Sequence, residues 1–503
     1  MHLRIAIAFT VLVAGCADAP TGGPTAPGRA AVDVASSETP RHIVVFRDQV
    51  VPADFVARVE LLGGHVDGSL AGIGVGSVSG LTPAAAAELA SGADVEGVSM
   101  RAAVDVAFPE DESSADDAGA TLANGFAQPT LLQAVPGNTI GAVEAADDPD
   151  GKDDDAALPS PTLAEFYARQ WDMRAVSADA AWATGHRGTP GVTVSIMDSG
   201  IDYLHPDLAG LVDLSRSKSY IAGEDVRDLY RHGTAVAEII ASNAKVLAGM
   251  TQRVRLIAMK VYSRQLTFDP YDYIDAIVES ADRGADVINA SFGGYKSRSE
   301  DPVLYEAYLR AFSYAQRKGA LFIGLTGNDH VDHDNDGDFY RVCELSGGMC
   351  VAATAPIDAP TPEGPFTKVD SLGEYSGYGL SVMSVVAPGG RSIDRPNQPR
   401  KYTRIWHACS TGPTTAPGCP PNGCPDGRCL WESSGTSFAA PHVAGLAALL
   451  ISRIGQHRPL EVKSLIEKSA DDLGAPGFDK YYGWGRINAA SALRLAGRLN
   501  DQK

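Results

Sequence analysis

Basic residues are in short supply: 42 lysines and arginines face 62 aspartates and glutamates, for a net charge of −20. That balance argues against a nucleic-acid partner, because phosphate backbones are held by a surplus of lysine and arginine. Long hydrophobic runs are as rare. Beyond "IAIAFTVLVAG" near the start, no stretch reads as a transmembrane span. Cysteine is sparse, seven in 503 residues, and no pair has C-x-x-C spacing. No repeat of fixed period is visible. What the chain does have is an apolar fraction of 44%, enough for at least one sizeable core, and a length that leaves room for several domains. Much of the charge is local: between Pro109 and Ala156 twelve carboxylates meet one lysine.

The first residues read as an export signal. His2 and Arg4 make a weakly basic start, and the apolar run that follows is too short for a permanent membrane helix. It ends in Val13-Ala14-Gly15-Cys16, which resembles a bacterial lipobox. The resemblance implies cleavage after residue 15 and a lipid on the Cys16 thiol, placing the protein at the cell envelope; an ordinary secretory signal is the alternative. If Cys16 carries lipid, six cysteines remain, an even number suited to disulfides in an oxidising compartment. Cys343 and Cys350 could close a small ring. Cys409, Cys419, Cys424 and Cys429 crowd into a Pro/Gly-rich loop that allows three pairings. The missing C-x-x-C spacing speaks against zinc there.

Residues 16–40 are a Pro, Gly, Ala and Ser tether. From 41 to 106, "HIVVF", "PADFVARVELLGG", "GIGVGSVSG", "TPAAAAELASG" and "VEGVSM" alternate strand and helix patterns, predicting a small α+β domain of β-α-β-β-α-β type. The acidic stretch 107–160, with "DDPDGKDDD", reads as a disordered linker. From 161 to 498, β-rich apolar runs alternate with helical ones. That alternation predicts an α/β domain whose buried parallel sheet is flanked by helices, with functional groups at the carboxyl ends of strands.

Three residues stand at such junctions. Asp198 ends the strand "VTVSIM", His232 opens the helix of "HGTAVAEIIA", and Ser437 opens another in "GTSFAAPHVAG". A serine hydroxyl attacks a carbonyl only when a base takes its proton, and the base needs a carboxylate to orient it. Ser437 at a helix start also sits among unpaired backbone N–H groups suited to an oxyanion. Asn328, just past the apolar strand "GALFIG", offers a second donor.

These three motifs, in this order, resemble the subtilisin-family serine proteases. "TGN" around Asn328, "VAPG" at 386–389 and "GWGRINAASA" match further landmarks of the family. The resemblance implies a subtilisin-like fold and a serine endopeptidase acting on protein or peptide substrates, with Asn328 in the oxyanion hole and no cofactor for catalysis. It also implies a substrate cleft lined by Ala290, Ser291, Phe292 and Gly293. Glu238 departs from the glycine usual in the histidine helix. The domain 41–106 resembles the family's inhibitor-like propeptide, which implies that it plugs the cleft until removed; a separate adhesion or spacer module is the other reading. Asp332, Asp334 and Asp336 fit the opening of a D-x-D-x-D-G calcium loop, although Cys343 stands where its final glutamate belongs. The loop is therefore either a structural calcium site or a solvated acidic turn. A catalytically silent binding protein on the same fold is the rival to the enzyme, and the intact set of four polar residues speaks against it.

Overall fold

Two sheets organise the polypeptide, and in both the alternation of side chains decides what covers each face. The computed structural model describes residues 40–106, 158–293, 296–335, 338–392, 402–414, 418–455 and 458–500. The signal segment, the tether with Cys16, almost all of the acidic stretch and Asp336 lie outside the described residues.

The N-terminal sheet is antiparallel. Strands β1 (Arg41–Phe46), β2 (His65–Leu70), β3 (Val75–Ser79) and β4 (Val95–Met100) lie in the order β2-β3-β1-β4, with α1 (Phe55–Leu61) and α2 (Pro83–Ala90) in the connections. Along β1, Val44 and Phe46 face those two helices and close a small core with Phe55, Val59 and Leu89. Ile43 and Val45 face the other way, onto residues of the larger domain. Fully burying such side chains contributes roughly 1.5–3 kcal/mol each, so one strand supports two cores. A short strand, β5 (Val104–Asp105), then leaves this sheet.

The larger sheet has eight strands. Its centre is β6 (Thr193–Asp198), which pairs in parallel with β7 (Arg255–Lys260) on one side and β9 (Val287–Ala290) on the other. Beyond β9 come β10 (Leu321–Leu325), β11 (Met349–Ala355) and β12 (Val385–Pro388), all parallel. The short β8 (Thr267–Phe268) stands outside this sheet and takes β5 as its antiparallel partner. Val194, Ile196, Leu256 and Ala258 pack on one face with α3 (His232–Ile240) and α6 (Thr436–Ile454). Met197, Ile257 and Met259 pack on the other with α4 (Pro270–Asp282) and α5 (Pro302–Arg317). Helix α6 is long and apolar enough to cross a membrane, but it is mostly buried and serves as the central core helix. Three helices begin by the same device, a capping side chain followed by proline: Thr82-Pro83, Asp269-Pro270 and Asp301-Pro302. In each case the cap accepts a backbone N–H of the first turn.

The antiparallel sheet rests on α4 and α5 through ions as well as apolar contacts. Arg310, 5% exposed, donates to the carbonyls of Phe46 and Ile73 and pairs with Glu96 at 2.5 Å. Arg101 pairs with Asp269 and with Asp272.

Candidate active site

Parity along β6 puts Asp198 on the face shared with α3, at the carboxyl end of the strand where the sheet stops covering it. Ser199 N donates to Asp198 Oδ1 at 2.8 Å. His232 begins α3, and its Nδ1 lies 2.9 and 3.1 Å from the two Asp198 oxygens. Both residues are essentially without exposure. A carboxylate with these donors has no proton to offer, so Nδ1 carries the hydrogen and Nε2 the lone pair of the neutral imidazole. Gly233 permits the approach: a Cβ there would lie 2.1 Å from the Gly200 carbonyl oxygen. Behind the couple, Asp228 accepts from Ser199 Oγ, Tyr230 N, Thr234 N and Thr234 Oγ1. Burial pushes the Asp228 carboxyl up to about 6 even though Thr234 and Tyr230 donate to it.

Ser437 lies in the first turn of α6, which packs against α3. The Phe438 ring beside it stands 5.3 Å from the His232 ring. Among the described residues Ser437 Oγ is buried and makes no hydrogen bond; hydrogen bonds between a hydroxyl and its base are often formed fully only once substrate is engaged. Asn328 is oriented by α6 itself. Its Oδ1 accepts from Thr436 N and Thr436 Oγ1, both at 2.8 Å, which commits the oxygen and turns the Nδ2 amide hydrogens toward the opposite side. An ideal Cβ on Gly435 would lie 2.8 Å from Ser437 Oγ and 3.7 Å from Asn328 Nδ2. Hydroxyl and amide thus flank the same small space, and only glycine at 435 keeps it open. An amide N–H beside a hydroxyl can stabilise the oxyanion formed when that hydroxyl attacks a carbonyl.

Of the residues expected to line the cleft, Ala290, Ser291 and Phe292 are buried, and Gly293 faces open space. Phe292 packs its ring among Tyr262, Phe268 and Tyr273, at 5.0 to 5.2 Å between centroids. In the acidic loop, Asp334 accepts Leu380 N and Ser381 N, one on each oxygen, and Asp332 is paired with Lys480 at 3.2 Å and with Asn335. A lysine inside the loop supplies the positive charge a cation would bring, so these two carboxylates as arranged do not fit calcium.

Three arrangements escape sequence reasoning. Tyr262 donates its hydroxyl to Asp198 Oδ1 at 2.7 Å across 64 positions. Glu238 and His205, both buried, meet at 3.1 Å. The cysteines pair as Cys343–Cys350, Cys409–Cys419 and Cys424–Cys429, so the choice among three pairings falls to sequence neighbours. No spacing rule ties Tyr262 to Asp198. For Glu238, a charged residue on an otherwise apolar helix was the available signal.

The sequence profile of the subtilase family matches residues 189–485. The chain belongs to the subtilase family. This subtilase is 30% identical over 344 residues to the thermophilic serine proteinase of Bacillus sp. (strain AK1), covering 67% of this chain and 70% of that protein. It is 27% identical to thermitase from Thermoactinomyces vulgaris, over 65% of this chain and 97% of thermitase. Among solved structures, a lanthipeptide protease superposes with a TM-score of 0.56 at 29% identity, covering 67% of this chain and 98% of that one. The epidermin leader peptide processing serine protease of Staphylococcus aureus shares the fold, with a TM-score of 0.65 at 19% identity over 92% of this chain and 99% of that one. As a subtilase, the protein is a serine endopeptidase that hydrolyses peptide bonds in protein or peptide substrates, by chemistry that needs no cofactor.

Proposed function

We propose that Asp198, His232 and Ser437 form the catalytic triad of this endopeptidase and that Asn328 lines its oxyanion hole. The observation that carries the reading is the pairing of Asp198 with His232 Nδ1 beside a space flanked by Ser437 Oγ and Asn328 Nδ2. His232 Nε2 takes the Ser437 proton as Oγ bonds to the scissile carbonyl carbon. The carbonyl oxygen gains the negative charge and receives hydrogen bonds from Asn328 Nδ2 and the Ser437 N–H. The imidazolium, steadied by Asp198, returns the proton to the leaving amine as the C–N bond breaks. Water, deprotonated by the same imidazole, then releases the acyl group and restores Ser437. A fluorophosphonate probe should label Ser437 in the protein and not in Ser437→Ala, which should be unable to hydrolyse casein yet melt at the parent temperature. Casein hydrolysis at the parent rate by Ser437→Ala would refute the assignment.

The reading extends to an exported zymogen. Residues 1–15 would direct export, Cys16 would carry lipid, and the domain 41–106 would act as an inhibitory propeptide joined through the acidic stretch to the enzyme. The path of β5 supports inhibition: Val104–Asp105 pair with the free edge of β8, and Val106 N donates to Leu266 O at 2.7 Å. Phe268 of β8 leads through Phe292 to Tyr262 and so to Asp198. An extended segment paired on that edge would compete with any substrate strand that added there by backbone pairing. N-terminal sequencing of the mature enzyme, with mass measurement of the released fragment, tests this; a mature enzyme that retains His42 covalently would end the propeptide reading. Two relatives, from Trichormus variabilis and Nostoc sp., are named calcium-dependent proteases. Structural calcium at Asp332, Asp334 and Asp336 of this chain would require displacement of Lys480, and a melting temperature unmoved by chelator would exclude it.

A further inference from the structure

Tyr262 follows β7 by two residues and has no exposed surface. Its ring is held against Phe292 at 5.0 Å, and Phe292 is itself fixed by Phe268 and Tyr273. The hydroxyl therefore has little freedom. It donates to Asp198 Oδ1 at 2.7 Å and lies 3.1 Å from His232 Nδ1. The same oxygen also receives Ser199 N at 2.8 Å and His232 Nδ1 at 2.9 Å. We infer that Tyr262 is a positioning residue of the triad: its O–H pins the Asp198 carboxylate toward Nδ1 and takes up part of its negative charge, which sets how firmly His232 keeps a proton.

The inference rests on the proposed roles of Asp198, His232 and Ser437. Burial, with Asp198 close by, holds the Tyr262 phenol well above its usual range, so it donates throughout the working range and never competes as an anion. A carboxylate relieved of charge by a hydroxyl stabilises the imidazolium less. Removing the hydroxyl should therefore make His232 easier to protonate, while freeing Asp198 to turn away and slowing the chemical step. The other titratable or charged groups facing the couple are Asp228 behind Ser199, Tyr230 and Arg231 before α3, and His407, which burial next to His232 keeps neutral. Burial pushes Asp228 up to about 6, so the proton on His232 must be read directly.

The test is Tyr262→Phe in the full-length protein, processed as the parent is. With a chromogenic peptide, kcat should fall about tenfold, the scale of one hydrogen bond to a charged group, with KM unchanged. The acid limb of kcat/KM should move up by about half a pH unit. The downfield proton resonance of His232 Nδ1–H should titrate with the same upward shift, also in an Asp228→Asn background. A residue that merely filled space would leave both titrations in place, because phenylalanine keeps the ring. Parent-like kcat and titration in Tyr262→Phe would overturn the inference. If the parent itself resists fluorophosphonate labelling at Ser437, the triad reading falls and takes the inference with it. Normal labelling with an indifferent Tyr262→Phe sinks the inference alone.

Discussion

Helix α3 carries one member of each of two buried acid–imidazole couples, His232 with Asp198 and, six residues on, Glu238 with His205. The parts are alike, yet their surroundings assign the proton differently. Asp198 accepts from Ser199 N, Tyr262 and His232, all donors, so it acts as an anion and can answer a charge arising on the imidazole. Among the described residues Glu238 has one donor, Ala408 N at 3.1 Å. His205 is committed on both sides: Nε2 faces the Gly427 carbonyl at 3.1 Å, which can only accept, and Nδ1 faces Asp207 N at 3.2 Å, which can only donate. That fixes a neutral His205 with its lone pair on Nδ1, so Glu238 Oε1, 3.1 Å away, finds no donor in the imidazole. Burial, reinforced by nearby Asp207, pushes the Glu238 carboxyl well above its ordinary value, in agreement. Three donors on a carboxylate make a couple able to move charge; one donor makes a couple that stores a proton and ties α3 to the cysteine-rich loop.

The sharpest way to break this contrast is to delete each imidazole. His232→Ala should lose about a millionfold in kcat, the order seen when a triad serine or histidine is removed, with the melting temperature preserved. His205→Ala should do the reverse, lowering the melting temperature by several degrees while the folded fraction keeps kcat within a few-fold; equal losses of kcat in both variants would erase the distinction. Next in size, Asn328→Ala should cost about 100- to 1,000-fold in kcat with little change in KM, since in its proposed role the amide is needed only when the oxyanion forms.

A smaller effect separates the two acids by pH. The unfolded chain gives Glu238 its ordinary value of 4.5, and the folded protein raises it. The stability it contributes is complete below that pH and is lost as pH rises toward the folded value. Glu238→Gln keeps an acceptor for Ala408 N and carries no charge at any pH, so it should melt with the parent at low pH and above it in alkaline buffer. A parallel fall of both melting curves with pH would show that Glu238 does not hold the proton. The smallest expected change comes from Cys424→Ser with Cys429→Ser. Opening a loop this short should cost roughly 2 kcal/mol, felt at Gly427 and hence at His205 but not in the pH profile of kcat.

The pair Asp198 and His232 was legible because each residue ends or begins an element whose apolar pattern is strong, and chain order restricts what such residues can do. The strand parity that points Asp198 toward α3 is visible in "VTVSIMD" as well. Tyr262 was not legible: a tyrosine after a strand is ordinary, and its contact depends on where the chain turns after Lys260. The acidic loop shows a different limit of local reading. The spacing of Asp332 and Asp334 suits a cation, but Lys480, far along the chain, reaches Asp332 first.

Local order in the chain determined the elements, their caps, the parallel sheet and the residues able to do acyl-transfer chemistry, because periodicity and side-chain type act over a few positions. Tertiary structure alone decided which of several acids and histidines keep a proton and which pass it on. That choice depends on desolvation and on how many donors converge at one oxygen, quantities that exist only after distant segments have packed together.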